Sequence, residues 1–430
     1  MIDTAYVNLW NKRVGAVYWD TNEQLGLFEF EPSFLSGNWD VSPLKMPLNS
    51  ADGRIFSFPE LRGTNTFKGM PGLLADVLPD KYGNALINAW LSKNGRPSGD
   101  MNPVELLCFI GKRGMGALEF EPVIPKIADG ATKIELNELI QLAQDILAGR
   151  ADFSVDLGKD KVKALTDILK IGSSAGGARA KAVIAYNATT YEVRSGQAEA
   201  PKGFQHWLIK FDGVTDIELG ATYGYGRIEM AYSLMANAAG VKMMECRLLE
   251  ENGRAHFMTR RFDREAGKGK LHVQSFCGLA HVDFNEISSF SYEQLFEVMR
   301  SLRLPYPDAE QLFRRMVFNV MARNCDDHTK NFAFIMDKTG KWSLSPAYDV
   351  CYSYRPGSVW VSQHSMSING KRKNINRADL LEVARNMNIK KAAAIIDEVA
   401  AAVRDWNKYA EETGVDVLLM SEIGREHLIL

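Results

Sequence analysis

The chain opens on a two-residue alternation. Apolar and polar positions interleave through Tyr6-Val7-Asn8-Leu9-Trp10, break at Asn11-Lys12-Arg13, and resume over Val14–Tyr18. Strand side chains point alternately to opposite faces, so the first 30 residues predict a small hairpin-rich β module. Between Phe67 and Leu91 the period changes. Leu73, Leu74, Val77 and Leu78, then Leu86, Ile87 and Trp90, fall at helical spacing, with Pro79-Asp80 opening a second helix. Asn102-Pro103 introduces the apolar run Val104–Ile110, which stops at Gly111 and has the form of a capped helix. Another helix is expected over Glu135–Leu147.

The second half carries an ordered series. A glycine-rich loop, GSSAGGARA at 172–180, runs into a strand, Lys181–Tyr186. A second strand, His206–Phe211, holds Lys210 within an apolar run. A helix over Arg227–Ala239 ends at Gly240, and a hairpin turns at Asn252-Gly253 into a return strand, His256–Asp263. From Tyr292 onward the pattern is mostly helical. Leu295, Met299 and Leu302 share one stripe; Leu312, Phe313, Met316, Val317 and Val320 share another, and both read as core packing. The exception is a predicted β-hairpin, in which Asn331–Met336 and Trp342–Leu344 flank the turn Lys338-Thr339-Gly340-Lys341.

That hairpin sits between three polar residues of chemical interest. Asp326 and Asn331 have D-x-x-x-x-N spacing, and Asp349 lies 18 residues after Asn331. Phosphoryl-transfer enzymes of the protein-kinase type use one carboxylate to orient a hydroxyl, and an amide plus a second carboxylate to hold magnesium against ATP. A hairpin would return the two metal ligands to one edge of the site. The bland alternative has Asp326 and Asp327 capping a turn, Asn331 starting a strand and Asp349 capping the next turn.

Gly176 and Gly177 allow backbone N–H groups to approach an anion, although the loop lacks both the Walker and the GxGxxG spacing. Lys210 on a strand among large apolar residues is costly to bury unless paired. Glu229, on the following helix, is its candidate partner. An edge strand with an exposed lysine, and an exposed helical carboxylate, are the alternatives. His328 can steady the loop or touch phosphate; a metal site with Cys325 and Asp326 matches no standard zinc spacing. Glycine loop, strand lysine, helix glutamate, hairpin, helical lobe, D-x-x-x-x-N, hairpin and aspartate follow one another in the order of a bilobal kinase.

Length and composition bound this picture. At 430 residues, two or three domains are expected, here divided as 1–110, 111–265 and 266–430. A 46% apolar and 24% charged chain is an ordinary globular one. The formal charge of −2 argues against wholesale electrostatic binding to nucleic acid or membrane, leaving local clusters such as Lys371-Arg372-Lys373 as contact points or solvated loop. Five cysteines without a C-x-x-C pair imply neither a disulfide framework nor a zinc ribbon. With no signal pattern and no apolar run of about 20 residues, a cytoplasmic protein is expected.

The motifs SSAGGARAK, LIKF, RRFDR, CDDHTKNFAF and LSPAYDV, with TFKGMPGLLADVLPDKYG and the β module before them, resemble the HipA family. These are serine/threonine kinase toxins of bacterial toxin–antitoxin pairs, and the resemblance covers nearly the whole chain. It implies an α+β, bilobal, protein-kinase-like fold with an N-terminal β-rich subdomain and a mostly helical C-terminal lobe. It implies Asp326 as catalytic base, Asn331 and Asp349 as magnesium ligands, and Lys210 on the ATP phosphates. Arg260, Arg261 and Phe262 would form the adenine hinge, and Gln274 and Tyr348 would line the nucleotide pocket. Gly176, Gly177, Ala178 and Lys181 of the loop, with His328, complete the expected nucleotide contacts. A serine at the head of the loop is autophosphorylated in the family; here it maps to Ser174, with Ser173 beside it. Such a dianion would be repelled by ATP phosphates, silencing the enzyme. The implied partners are a small helix-turn-helix antitoxin, operator DNA reached mainly through it, and an aminoacyl-tRNA synthetase substrate, the glutamyl enzyme being one candidate. A weakly active corepressor and a small-molecule or lipid phosphotransferase are the competing readings.

Overall fold

In the computed structural model the N-terminal alternation becomes three antiparallel strands, β1 (Thr4–Leu9), β2 (Lys12–Asp20) and β3 (Leu25–Phe30). Trp10 and Asn11 join the first two with φ of 48° and 63°, the left-handed pair of a tight hairpin turn. β4 (Ile55–Phe56) and β5 (Leu118–Glu121) extend the sheet to the order β4-β3-β2-β1-β5. The structure describes residues 2–124, 136–147, 168–169, 172, 179–196, 200–214, 224–265 and 269–430. Contacts divide the chain into two units. One holds Met1–Asn38, Met46–Gly226 and Arg247–His272; the other holds Trp39–Lys45, Arg227–Cys246 and Val273–Leu430.

In the first unit the helix Pro103–Ile110 packs on β1 and β2, and every one of its residues is buried. A helix apolar all round but for Glu105, which accepts from Arg96 at 2.9 Å, belongs in a core. Both of its ends are closed as its sequence predicts. Asn102 accepts a 2.7 Å hydrogen bond from the Glu105 amide, and Gly111 takes φ 57°. The apolar run at Leu73–Leu78 makes only one helical turn, Gly72–Ala75, before the longer helix Lys81–Lys93. Pro79 disfavours helical backbone at the residue before it, which accounts for the break.

The unit's second sheet contains β6 (Lys181–Tyr186), β7 (Val193–Ser195), β8 (Gln205–Lys210), β9 (Cys246–Glu251) and β10 (Arg254–Arg260), in the order β7-β6-β8-β10-β9. Asn252 and Gly253, at φ 47° and 77°, make the predicted hairpin turn. β10 stops at Arg260 rather than running to Asp263. The cause is a buried ion cluster: Asp263 accepts from Arg261 at 2.8 and 2.5 Å, Arg264 at 2.5 Å and the Gly116 amide at 2.8 Å. Those bonds draw the chain out of the ladder and into a short ribbon of β11 (Arg264–Glu265) and β12 (Gly269–Lys270).

The second unit is mainly helical. Tyr292–Ser301 and Tyr306–Met321 present the predicted stripes; Leu295, Met299, Leu312, Phe313, Met316, Val317 and Val320 are buried, and Leu302 is half-buried. Arg377–Met387, Ala392–Arg404, Trp406–Thr413 and Val417–Glu426 follow. Most of the helix Tyr225–Ala238 also belongs here, and Gly240 at φ 76° ends it. A three-stranded sheet, in the order β13-β14-β15, joins β13 (His272–Ser275) to the hairpin of β14 (Ala333–Met336) and β15 (Trp342–Leu344). Trp39 donates to the Lys338 carbonyl at 2.9 Å, and the Trp342 indole to that of Asp40 at 3.3 Å. These bonds tie Trp39–Lys45 to this unit. The molecule is α+β.

Candidate active site

The helix Tyr306–Met321 delivers the chain to the site. Two residues beyond its end, Arg323 adopts φ 56°, and the backbone turns into the segment Asn324–Phe332. A single 3-10 turn, Thr329–Asn331, follows, with the Asn331 amide donating to His328 O at 2.9 Å. The Asn331 side chain then donates from Nδ2 to the Asp326 carbonyl at 2.7 Å. The two ends of D-x-x-x-x-N are thereby fixed to each other. The Asp326 side chain is 48% exposed, and His328 Nε2 lies 3.8 Å from its Oδ1. His328 packs against Phe284, with ring centroids 5.2 Å apart.

The hairpin brings the chain back. Ser345 donates to Ala333 O at 2.9 Å and Ala347 to Lys242 O at 2.8 Å, while the Tyr348 hydroxyl reaches Lys330 O at 2.6 Å. Asp349 stands at φ 51°, a region a β-carbon makes costly and one that recurs at functional positions. Asn331, Tyr348 and Asp349 line one crevice together with Arg315, Asn319, Asn324 and Asp327. The hairpin therefore returns Asp349 to Asn331, as its spacing implies.

Sequence reasoning missed the residues beneath this loop. Asp327 is buried, accepting from Tyr292 Oη and His364 Nδ1 at 2.8 Å each and from the Ser365 amide at 2.8 Å. Burial alone would discharge the His364 ring, but Asp327 beside it outweighs that and pushes its pKa up to about 10. Arg315 is also buried, its pKa lowered by burial to about 10, and it donates to Ser345 O. Arg315 and Asn319, four apart on the apolar face of their helix, were the available signal. Polar groups at core positions need partners.

The first unit holds a second candidate feature. β8 is the central strand, so Lys210 is not on an edge. Lys181 faces Lys210 across the β6–β8 pair, and Phe257 faces Lys210 from β10. Directly opposed residues share a sheet face, and like charges so placed repel unless something negative lies near. Lys181 is buried, Lys210 half-buried, and Lys210 Nζ sits 5.8 Å from the centre of the Phe257 ring. Arg179, just before β6, stacks on Tyr225 at 4.2 Å. Arg261 donates its amide to His206 O at 2.9 Å and its guanidinium to Asp263, while Arg260 and Phe262 are half-buried beside it.

Ser173, Ser174, Gly176, Gly177 and Ala178 lie outside the described residues. Gln274 is fully buried in β13. Glu229, in the second unit, is buried and so is not an exposed helical carboxylate. The basic run folds back on its own unit: Lys371 pairs with Asp379 at 2.7 Å and Arg372 donates to His364 O at 2.6 Å. Among the described residues, no three His, Cys, Asp or Glu side chains gather as a metal site, and no helix is long and apolar enough to cross a membrane. Asn331 and Asp349 offer an amide and a carboxylate oxygen, hard donors of the kind magnesium takes beside phosphate.

Two family models match: the HipA N-terminal domain over residues 5–121 and the HipA-like C-terminal domain over residues 173–406. Among curated proteins, "Putative kinase Y4mE" of Sinorhizobium fredii is 26% identical over 125 residues, 27% of this chain and 30% of that protein. A "Putative kinase" of Haemophilus influenzae is 27% identical over 101 residues, 22% of this chain and 29% of its own. The chain thus spans about a third of the length of these curated relatives. Among solved structures, HipA of Shewanella oneidensis, from its complex with HipB and operator DNA, superposes with a TM-score of 0.68. That match is 18% identical and covers 98% of this chain and 94% of the other. With its second family model spanning more than half its length and its fold that of a solved HipA, the chain belongs to the HipA family.

Proposed function

We propose that this chain is an ATP- and magnesium-dependent protein serine/threonine kinase, the toxin of a toxin–antitoxin pair. The supporting observation is the meeting of Asn331 and Asp349 in one crevice, with Asn331 tied to the backbone of Asp326. In this reading Asp326, its carboxylate half exposed, accepts the proton of the substrate hydroxyl. Asn331 and Asp349 would hold a magnesium ion, which would supply positive charge beside the phosphates. Lys210 and Lys181 supply the positive face for the ATP phosphates. Tyr348 borders the nucleotide, Arg260, Arg261 and Phe262 meet its base, and His328 steadies the loop; Gln274, fully buried, supports the pocket from behind. Gly176, Gly177 and Ala178 are the proposed phosphate contacts, and phosphorylation of Ser174 the proposed off-switch, its dianion being repelled by the ATP phosphates.

The Shewanella HipA is seen with HipB and operator DNA, which supports a small helix-turn-helix antitoxin as partner here and DNA contact mainly through it. An aminoacyl-tRNA synthetase as the protein substrate rests on family membership alone. Expression with and without a candidate helix-turn-helix antitoxin tests the toxin assignment. Growth arrest relieved by the antitoxin, and absent in Asp326→Asn, is expected; equal growth in all strains would refute it. A corepressor with little turnover would still bind the antitoxin but would transfer no phosphate.

A further inference from the structure

The sequence places Asp327 directly after the proposed base, and the fold buries it. Its carboxylate accepts three hydrogen bonds from two separate elements. Tyr292 comes from the start of the helix Tyr292–Ser301; His364 and Ser365 come from the segment after the hairpin. Tyr292 Oη is held in turn by Asn319 Nδ2 at 3.0 Å, and Asn319 Oδ1 accepts from Asn324 Nδ2 at 3.0 Å. Asn324 opens the catalytic segment, so the chain of bonds closes on itself. Ser365 Oγ adds a 3.2 Å bond to the Cys325 carbonyl, and Cys325 N donates to Ser353 O at 3.1 Å. Asp326 carries a half-exposed side chain between two buried, anchored neighbours, Cys325 and Asp327.

We propose that Asp327, with its partners His364 and Tyr292, is a positioning device that fixes the backbone of Asn324–Asn331 and so aims the Asp326 carboxylate. Cys325 and Asp327 are held by the core while Asp326, between them, points its carboxylate toward solvent. A buried carboxylate with three donors, His364 among them, is well satisfied, whereas removing one partner leaves a buried charge or donor exposed to no water. The device therefore steadies the backbone beneath a carboxylate that His328 Nε2 approaches only to 3.8 Å. It acts through Asp326 and touches no reactant.

The inference about catalysis rests on the kinase reading, so its test carries a readout that does not. Amide hydrogen exchange of the nucleotide-free chain is compared for wild type, Asp327→Asn and Tyr292→Phe. Tyr292→Phe keeps the ring and removes only the hydroxyl with its bonds to Asp327 and Asn319, so it remains informative if Asp327→Asn folds poorly. Faster exchange confined to residues 324–331, 353 and 364–365 is expected. Unchanged exchange there, or acceleration spread evenly over the molecule, would overturn the device. Phosphoryl transfer is then measured on the same proteins. The expectation is a kcat lower by about tenfold or more, with the ATP dissociation constant within about twofold of wild type. Transfer at an unaltered kcat by a variant with a loosened loop would also overturn it. Absence of transfer by the wild type would instead count against the kinase reading, leaving exchange to decide the clamp.

Discussion

Asp326 and Lys210 carry the sharpest consequences at the residue scale. If Asp326 accepts the substrate proton, Asp326→Asn lowers transfer by about a thousandfold or more and leaves ATP affinity nearly intact. Isothermal titration beside a transfer assay separates the two effects; equal losses in binding and turnover would assign Asp326 to nucleotide binding instead. Lys210→Met acts on the other side of that division. With Lys181 across the ladder still present, ATP affinity is expected to fall about tenfold or more, with the sheet intact by circular dichroism. Unchanged affinity would return Lys210 to a structural role. Much of this was legible in sequence, because D-x-x-x-x-N and a strand lysine are local patterns. Asp327 was not, since His364 and Tyr292, which give it meaning, lie 37 and 35 residues away.

Elements whose signals are local matched their sequence closely. The Asn102 cap, the Gly111 and Gly240 stops and the Asn252-Gly253 turn each depend on a few adjacent residues. β10 is the counterexample. Its alternation continues past Arg260, but Asp263 is claimed by Gly116, 147 residues away, and periodicity carries no information about so distant a partner. Asp263 is fully buried, and Arg261 and Arg264 beside it outweigh the cost of its burial and hold its pKa well below the usual range. Asp263→Ala would leave two guanidinium groups without their shared counter-ion. A loss of about 3–5 kcal/mol in urea unfolding is expected. A loss under about 1 kcal/mol would show that the cluster relaxes into water and does not hold the strand end.

Histidines dominate the pH response expected of the whole molecule. Burial lowers His206 to about 4, His281 to about 3 and His427 to about 4, and lowers His256 as well. Each has a folded pKa below its unfolded value near 6.5, so the unfolded chain binds more protons and stability falls as pH drops from about 6.5 toward 4. His364 has the opposite sign. Raised to about 10 by Asp327 despite its burial, its contribution is complete below about 6.5 and is lost as pH rises toward 10. Urea unfolding from pH 4.5 to 9.5 should therefore peak near neutrality, and His364→Phe should flatten the alkaline side. An alkaline slope unchanged by that substitution would contradict the charged pair.

The claim on which the rest depends is phosphoryl transfer through Asp326. Intact-mass and peptide mass spectrometry of the purified chain after incubation with Mg-ATP, beside Asp326→Asn, tests it most directly. A phosphate on Ser174, or on neighbouring Ser173, that is absent from the variant is the predicted result. A chain that binds ATP yet gains no phosphate on itself or on added protein would contradict it.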